Sequence, residues 1–590
     1  MMGPVRSTLR TRVGQYAAPS AQLTRRWWLG LTAVMVLGMS VSASTWHVFG
    51  HTWDEPEHIA AGMDLVDRGQ YDYDIQHPPL ARVMFALGPY LAGARSQGKA
   101  PPDGRPEGIA LLYGSGHYTL YLTLARAGAL PFFALLIAVT FLWARVFLMP
   151  REALIAALVV ATTPVLIGHA ALATLDVPAT ATCLMSLYAL KRWLLHNRLR
   201  DAVFVGFATG LAIGTKLSAI PFIGLGFFVF LCLHSVQQHA PNVGGVGHSA
   251  VSQRSRRIAG IAAGTLLVIA VLTLAYGGQF IYLTDSAHHY NPALGYVFGY
   301  TPGALHDEAY QFFSYVPVPK ALQWLVGGVE AVSVHNNTGH LSYLLGQSRT
   351  NGWWYFYLVA LAVKTPIPLL LCGVSGLIAL AISGVRRRVY DDCLPLLLVV
   401  TLLMFVSVFS HINIGVRHVL ILYPLLAIGS VAGVSGAWQW TRDLKRQRVA
   451  LLVRAALVAL MAWQACTLAV WPDYLAYFNG LAPEPRHVLI DSDLDWGQDF
   501  KRLTMRLAER HIEHVALAYQ GTADLSREPL PDLKLLQADQ VATGWVAITA
   551  LARMRAPHHF EWLNAYVPVE RIGTTIDLYW IPGPSPSRMP

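Results

Sequence analysis

The sequence predicts an α-helical polytopic membrane protein with a small α/β domain outside the membrane. Of its 590 residues, 54% are hydrophobic and 13% are charged, whereas a soluble domain carries about 25% charged residues. Apolar stretches long enough to cross a bilayer recur from residue 27 to residue 471. Residues 472–590 lack such stretches. This composition excludes an ordinary soluble enzyme, a disordered chain and a fibrous repeat.

The apolar stretches number about eleven, at about 20 residues per span. We place them at 27–49, 118–147, 152–173, 176–195, 201–215, 217–235, 258–283, 353–383, 393–410, 417–438 and 450–471. Pro131, Pro366 and Pro368 fall in the two longest stretches and predict breaks there, because proline removes a helix hydrogen bond. Residues 27–49 are too long for a cleaved signal peptide.

The positions of lysine and arginine predict the orientation of the chain. If the chain crosses the membrane an odd number of times, the main basic clusters all lie on one side. These clusters surround Arg25, Arg151, Arg192, Arg256, Arg387 and Arg446. Segment 1–26 is then a cytoplasmic tail and 27–471 the transmembrane domain. Loops 50–117 and 284–352 and the domain 472–590 lie outside, and Gly244–Ser255 is a cytoplasmic linker. The net charge of +10 therefore reflects orientation, and no nucleic-acid partner is expected.

In the outer domain, alternating apolar residues predict strands at His487–Asp491, His514–Tyr519, Gly544–Ala550 and Ile576–Ile581. A helical pattern runs from Gln498 to His511. The acidic run Asp491-Ser492-Asp493-Leu494-Asp495 has the D-x-D form of some cation sites, but it lacks the glycine and glutamate of an EF-hand loop. The alternative is that these acids cap the following helix.

Two adjacent acids, Asp54 and Glu55, follow the first span directly. Acids at a membrane boundary are costly unless they are solvated, paired or used, and one of them can serve as a general base towards an attacking hydroxyl. The alternative is a helix cap in which Asp54 is the N-cap and Glu57 occupies the third helical position. Asp54 and His58 are also spaced for a metal site, which stays a further alternative.

Asp176 lies between the third and fourth spans, in Leu175-Asp176-Val177-Pro178. A lone acid between two apolar runs is a candidate functional residue. Because a proline follows two residues later, capping of the next helix is an equal alternative.

Basic residues are rare on the outer side, so each one is informative. Lys216, Arg417 and the neighbouring His418 lie at outer span ends, and Lys364 lies within an apolar run. Cations that break the positive-inside bias suggest an anionic ligand at the membrane surface. The alternative is that they reach towards lipid headgroups.

Taken in order, these motifs resemble the GT-C glycosyltransferases of the protein-mannosyltransferase and aminoarabinose-transferase type (family 39), which depend on a phospholipid carrier. The resemblance covers most of the chain. It is carried by Asp54-Glu55 with His58, His77-Pro78-Pro79, Asp176-Val177-Pro178, Thr215-Lys216, Lys364-Thr365-Pro366, Gly415-Val416-Arg417-His418, and Tyr477-Phe478-Asn479 leading to Asp491–Gln498. Ile421 and Asn479-Gly480-Leu481-Ala482 depart from the family pattern.

The resemblance implies a GT-C fold and a base at Asp54, assisted by Glu55 and Asp176. It implies substrate binding, to the lipid phosphate or the acceptor, by Lys216, Arg417, His418, His58, His77, His340 and Lys364. The donor would be a polyprenyl-phosphate-linked sugar and the acceptor a hydroxyl of a protein, lipid or glycan, at the outer face of a bacterial inner membrane. No metal ligand is assigned, and a divalent cation stays an open alternative. The rival functions are a transporter or flippase, and a non-catalytic scaffold that displays residues 472–590.

Overall fold

A computed structural model describes residues 24–99, 102–239, 250–282, 308, 311–312 and 314–583. Most of residues 1–26, the first part of the linker Gly244–Ser255 and part of loop 284–352 lie outside these ranges. Up to residue 466 the described chain is mainly helical. Its helices are α1 Arg25–Ala43, α2 Glu55–Met63, α3 Leu80–Leu91, α4 Gly104–Tyr113, α5 Tyr118–Ala127, α6 Leu130–Phe147, α7 Pro150–Ala161, α8 Pro164–Ala170, α9 Asp176–His196, α10 Leu199–Thr215, α11 Ala219–His239, α12 Ala250–Ala275, α13 Lys320–Thr338, α14 Phe356–Lys364, α15 Ile367–Arg387, α16 Leu394–Phe409, α17 Leu422–Trp440 and α18 Gln447–Cys466.

Each apolar stretch predicted from the sequence contains one or two of these helices, so the helical polytopic fold class is confirmed. By length and composition, seven helices of the described residues can cross a membrane, and eight if the bent pair α7–α8 is one span. The helices of three predicted stretches, α9, α10 and α17, are not among them, and α10 is only 17 residues long. The count of eleven spans therefore stays a prediction.

The breaks predicted at prolines occur in both long stretches. Helix α14 ends at Lys364 and α15 begins at Ile367, on either side of Pro366. Similarly, α5 ends at Ala127 and α6 begins just before Pro131. Because a proline is tolerated in the first turn but not in the helix interior, each stretch becomes two helices.

Helices α15 and α17 pack very closely at a pair of glycines. A Cβ added to Gly376 would lie 1.8 Å from the carbonyl oxygen of Gly429. Without a hydrophobic drive between helices in lipid, such small residues permit the close backbone contact that holds membrane helices together. A side chain at Gly376 would force the two helices apart.

Before residue 472, the strands of the described chain form two short hairpins, β1 Phe280–Ile281 with β2 Val318–Pro319 and β3 Ser342–Leu344 with β4 Gln347–Arg349. Residues 472–583 are called the outer unit, after the side of the membrane predicted for them. They contain the strands β5 His514–Ala518, β6 Asp532–Leu535, β7 Gly544–Thr549, β8 Glu570–Ile572 and β9 Ile576–Ile581, with helices α19 Phe500–Glu509 and α20 Ala550–Arg555. The five strands form one sheet in the order β6-β5-β7-β9-β8, in which β5, β6 and β7 are parallel and β9 is antiparallel to β7 and β8.

The sequence predicts β5, β7, β9 and α19 within a few residues. The strand predicted at His487–Asp491 is wrong, because that segment lies between two short 3-10 turns, Pro485–His487 and Asp491–Asp493. Strands β6 and β8 are missed. They are the edge strands of the sheet and are only four and three residues long, too short for the alternation of polar and apolar residues to stand out.

The outer unit is bound to the first outer loop through main-chain hydrogen bonds. The amide of Gly50 donates to the carbonyl of Gln498, and that of Trp53 to the carbonyl of Trp496, both at 3.0 Å. The Tyr113 hydroxyl also donates to Glu528 at 2.6 Å. These bonds hold the segment around Trp496 beside Asp54.

Candidate active site

The ends of several helices meet around one cavity of about 790 Å³, a volume typical of a small-molecule site. Four of the charged residues predicted from the sequence line it. Asp54 precedes α2, Asp176 is the first residue of α9, Lys216 follows the last residue of α10, and Arg417 lies in the 3-10 turn Val416–Val419. Residues distant in the sequence thus converge at one end of the helix bundle.

These four side chains form a network of ion pairs. Arg417 Nη1 lies 2.7 Å from Asp54 Oδ2 and 3.9 Å from Asp176 Oδ2. Lys216 Nζ donates to Asp176 Oδ1 at 2.7 Å. The Arg417 guanidinium lies 4.3 Å from the centre of the Trp496 ring, and its buried Nε has no hydrogen-bond partner in the described part of the chain. Two acids and two cations therefore balance in charge.

The helix-cap alternatives for the two acids are not supported. Neither Asp54, at the N-cap of α2, nor Asp176, at the start of α9, contributes a side-chain cap hydrogen bond. Both carboxylates instead accept hydrogen bonds from the cations of the cavity. At the start of α2 the bond of a capping box is made by Glu55, which accepts from the amide of Thr52 at 2.8 Å.

Glu55 itself lies outside the cavity, contrary to its expected catalytic role. It is fully buried and accepts from Arg126 Nε and Nη2, each at 2.8 Å, and from the amide of Ala173 at 3.0 Å. Burial alone would raise the pKa of Glu55, but Arg126 and these hydrogen bonds lower it. With all its acceptor positions engaged, Glu55 joins the first outer loop to the segments before α6 and α9.

Lys364 also lies outside the cavity lining. Its Nζ donates to the carbonyl oxygens of Leu475 at 2.9 Å and of Asp493 at 2.5 Å, and it lies 4.3 Å from the centre of the Phe478 ring. The side chain is fully buried. These contacts attach α14 to the outer unit, and the substrate-binding role expected for Lys364 stays a prediction.

All four predicted histidines line the cavity: His58, His77, His340 and His418. Burial lowers the pKa of His77 and of His340 to about 4, and that of His58 well below its ordinary value. These three rings are therefore neutral at pH 7. His58 Nδ1 accepts from Arg82 Nε at 3.2 Å, which engages one of its two ring nitrogens.

The acidic run at Asp491 anchors other parts of the site. Asp493 Oδ1 accepts from the amide of Val416 at 3.0 Å, next to Arg417. Asp495 Oδ2 accepts from the amide of Leu551 at 2.8 Å, in the first turn of α20. No group of three or more metal-ligating residues occurs among the described residues. In this structure Asp493 and Asp495 are occupied as acceptors for backbone amides.

Asp491, from the acidic run considered as a cation site, also lines the cavity, as do four charged residues that were not predicted as site residues: Glu57, Asp74, Arg105 and Arg555. Burial, reinforced by the Asp74 carboxylate, raises the pKa of Glu57 to about 7. Its spacing three residues after Asp54 was a usable signal, since residues three apart share a helix face. No local pattern marked Arg555, which reaches the cavity from the outer unit.

Away from the charged network, the cavity becomes apolar. Helix α11 contributes Ile220, Pro221 and Phe222, and helix α16 contributes Phe405, Val406 and Phe409. Many large apolar side chains of these two helices are exposed on the outer surface of the bundle, as expected of lipid-facing helices. The cavity therefore has a polar end and an apolar end.

Residues 123–248 match the family model described as dolichyl-phosphate-mannose-protein mannosyltransferase. This confirms the resemblance to the GT-C glycosyltransferases. The matched segment includes Asp176 and Lys216 but neither Asp54 nor Arg417. A comparison with curated protein sequences finds no significant match.

Among solved structures, the chain is similar to apo ArnT from Cupriavidus metallidurans, at 13% identity and a TM-score of 0.45, over 95% of this chain and 99% of that one. The archaeal oligosaccharyltransferase AglB from Archaeoglobus fulgidus matches at 13% identity and 0.44, over 93% and 74%. The protein O-mannosyltransferase Pmt1-Pmt2 complex of S. cerevisiae matches at 18% and 0.35, over 45% and 35%. With TM-scores below 0.5, these structures assign no residue roles to this chain.

Proposed function

We propose that the chain is a membrane glycosyltransferase that moves a sugar from a polyprenyl-phosphate-linked donor to an acceptor hydroxyl at the extracytoplasmic face. The observation that carries this proposal is the cavity, in which two cations and two acids adjoin an apolar region between α11 and α16. A lipid-linked sugar needs both environments, one for the phosphate and one for the first part of the polyprenyl chain.

In this proposal Lys216 and Arg417 bind the donor phosphate. Their side chains are 16% and 10% exposed, so each is accessible from the cavity. The acceptor hydroxyl attacks the anomeric carbon, a new glycosidic bond forms, and the bond from that carbon to the phosphate oxygen breaks. The electron pair leaves on polyprenyl phosphate, and positioned cations stabilise this charge as it develops.

Asp54 is the preferred base that takes the hydroxyl proton. Its side chain is 24% exposed, whereas that of Asp176 is 2% exposed. Before the donor binds, the Asp54 carboxylate is held in its ion pair with Arg417, at 2.7 Å. A phosphate that engages Arg417 would compete with Asp54 for the guanidinium and leave the carboxylate free to accept the hydroxyl proton. Donor binding would thus prepare the base.

The transporter alternative receives less support from the geometry. Ionisable groups of transporters lie near the bilayer midplane, often at discontinuous helices. Here Asp176, Lys216 and Arg417 lie at or beyond the ends of α9, α10 and α16.

The test replaces Asp54 with asparagine and measures transfer of radiolabelled sugar from polyprenyl-phosphate-linked donors in membranes. We expect a rate loss of about 10²–10⁴, the usual contribution of acid–base catalysis. Asp103→Asn is the matched control, since Asp103 caps α4 through the amide of Arg105 and asparagine caps a helix equally well. Near-wild-type transfer by Asp54→Asn would remove Asp54 as the base.

A further inference from the structure

Some charged side chains of the cavity form ion pairs and others do not. Asp54, Glu57, Asp74 and Asp176 each lie within 4.0 Å of an arginine or lysine nitrogen. The Asp491 carboxylate has no ion pair in the part of the chain that the structure describes. Its described hydrogen bond is a local one, at 2.7 Å from the amide of Ser492. Asp491 is therefore the acid of the cavity that is free to bind a ligand.

The backbone of Asp491 is held in the left-handed region, at φ +45°. Aspartate tolerates this conformation better than most residues, yet it persists only where the surroundings enforce it. The next two residues supply that constraint. Ser492 Oγ donates to the carbonyl of Ile414 at 2.6 Å, and Asp493 accepts from the amide of Val416. The carboxylate of Asp491 is thereby placed beside the loop of Arg417.

Arg555 is the corresponding unpaired cation. It lines the cavity, has no ion pair among the described residues, and its buried Nε lacks a hydrogen-bond partner there. Its guanidinium lies 5.5 Å from the centre of the Trp53 ring. Asp495 fixes the start of α20, the helix that ends at Arg555. The position of Arg555 is thus determined by the same acidic run that contains Asp491.

We propose that Asp491, Arg555 and Trp53 form the subsite that binds the sugar of the donor. This inference rests on the proposed function and deepens it. A carboxylate accepts from two hydroxyls, a guanidinium donates to hydroxyl oxygens, and an indole ring offers an apolar face to the C–H side of a pyranose. One acid and one cation together add no net charge, which suits a neutral polyol better than a second anionic group.

The subsite also explains why residues of the outer unit form part of the cavity wall. Lys216 and Arg417 can bind any polyprenyl phosphate, whether or not it carries a sugar. The released lipid carries more phosphate charge than the donor, so a purely cationic site would favour the product, and contacts with the sugar itself are what can favour the donor. Asp491 and Arg555 supply such contacts from residues 472–590.

The test compares two kinds of lipid on the full-length protein in detergent. Equilibrium binding is measured for bare polyprenyl phosphate and for polyprenyl phosphate linked to mannose, glucose or arabinose. The change in the ratio of the two affinities between a variant and the wild type reports the sugar contacts, because the difference in charge between the phosphomonoester and the phosphodiester is the same for both proteins. In the wild type we expect at least one sugar-linked lipid to bind more tightly than the bare lipid.

Asp491→Asn should reduce that ratio by about 10- to 100-fold, the scale of losing hydrogen bonds to a charged acceptor, and leave the bare lipid unaffected. Asparagine also tolerates the left-handed region, so the backbone is preserved. Arg555→Gln should reduce the ratio in the same direction. Asp539→Asn is the matched control, because Asp539 is a left-handed aspartate, at φ +60°, that is exposed and pairs with His559.

A ratio unchanged in Asp491→Asn and Arg555→Gln would overturn the sugar subsite, as would equal binding of all the lipids by the wild type. Arg417→Ala serves to separate this inference from the proposed function, since it should weaken binding of the bare lipid as well. If Arg417→Ala leaves bare-lipid binding intact, the phosphate clamp fails, whatever the sugar ratio shows.

Discussion

Replacement of Arg417 by alanine tests the most connected cation of the cavity. Its guanidinium contacts Asp54 at 2.7 Å, approaches Asp176 at 3.9 Å and lies over Trp496. In the wild type the two acids are balanced by Arg417 and Lys216. Without Arg417 the network carries one net negative charge, which repels an incoming phosphate.

The expected loss of kcat/KM follows from the proposed role of Arg417 in stabilising the developing negative charge. Loss of one donor that stabilises developing charge costs about 2–4 kcal/mol of transition-state stabilisation. At 1.36 kcal/mol per tenfold, that is a decrease of about 30- to 900-fold in kcat/KM. Arg417→Lys should recover only part of it, because the charge returns but the two parallel hydrogen bonds of a guanidinium do not.

The assay compares the three proteins at equal membrane levels with a polyprenyl-phosphate-linked sugar. Arg454→Ala is the control, since Arg454 also lies over an indole ring, 5.5 Å from the centre of Trp438, but does not line the cavity. It should keep wild-type kinetics. An arginine that only reaches towards lipid headgroups would be replaced fully by lysine. Equal kinetics for the wild type, Arg417→Lys and Arg417→Ala would refute phosphate binding by Arg417 and leave Lys216 as the remaining candidate.

Three further outcomes are expected. Glu55→Gln should lower the free energy of unfolding by about 3–5 kcal/mol, because it leaves the buried Arg126 without its charge partner, whereas the turnover of the folded protein should not change. Reduced turnover at unchanged stability would support a catalytic role for Glu55. Burial raises the pKa of Asp491 to about 6, so its carboxylate is ionised above that pH. The affinity for the sugar-linked lipid, whose phosphodiester keeps a single charge, should therefore decline as the pH falls from 7 to 5, and it should decline less in Asp491→Asn; the same pH dependence in both proteins would contradict this. In intact cells, a cysteine at Ser526 in a background without native cysteines should be labelled from outside and one near Arg387 should not; the reverse pattern would overturn the orientation.

The helices of the fold could be predicted because lipid imposes a strong local rule. A segment that crosses a bilayer needs about 20 apolar residues, and each predicted stretch contains helix. The strands of the five-stranded sheet were harder to predict, because the alternation of polar and apolar residues over a short strand is a weaker signal than a long apolar stretch. β7 and β9, in the interior of the sheet, are apolar and were found, whereas the edge strands β6 and β8 are only four and three residues long and were not.

For the candidate site, the sequence shows which polar residues are unusual but not where their side chains point. Asp54 and Glu55 are adjacent and look equivalent, yet one faces the cavity and the other is buried against Arg126. Successive residues of a helix lie about 100° apart, at 3.6 residues per turn, so neighbours in sequence point in different directions. Arg555 could not be found at all, since only the tertiary structure brings it to Trp53.

The acidic run from Asp491 to Asp495 argues against a scaffold that merely displays the outer unit. A displayed unit should be separable from the cavity, with few contacts that affect it. Here Asp493 holds the backbone next to Arg417, Asp495 holds the helix of Arg555, and Asp491 lines the cavity. Removal of residues 472–590 would therefore release the loop of the proposed phosphate clamp and remove one wall of the cavity, so the outer unit is a part of the site itself.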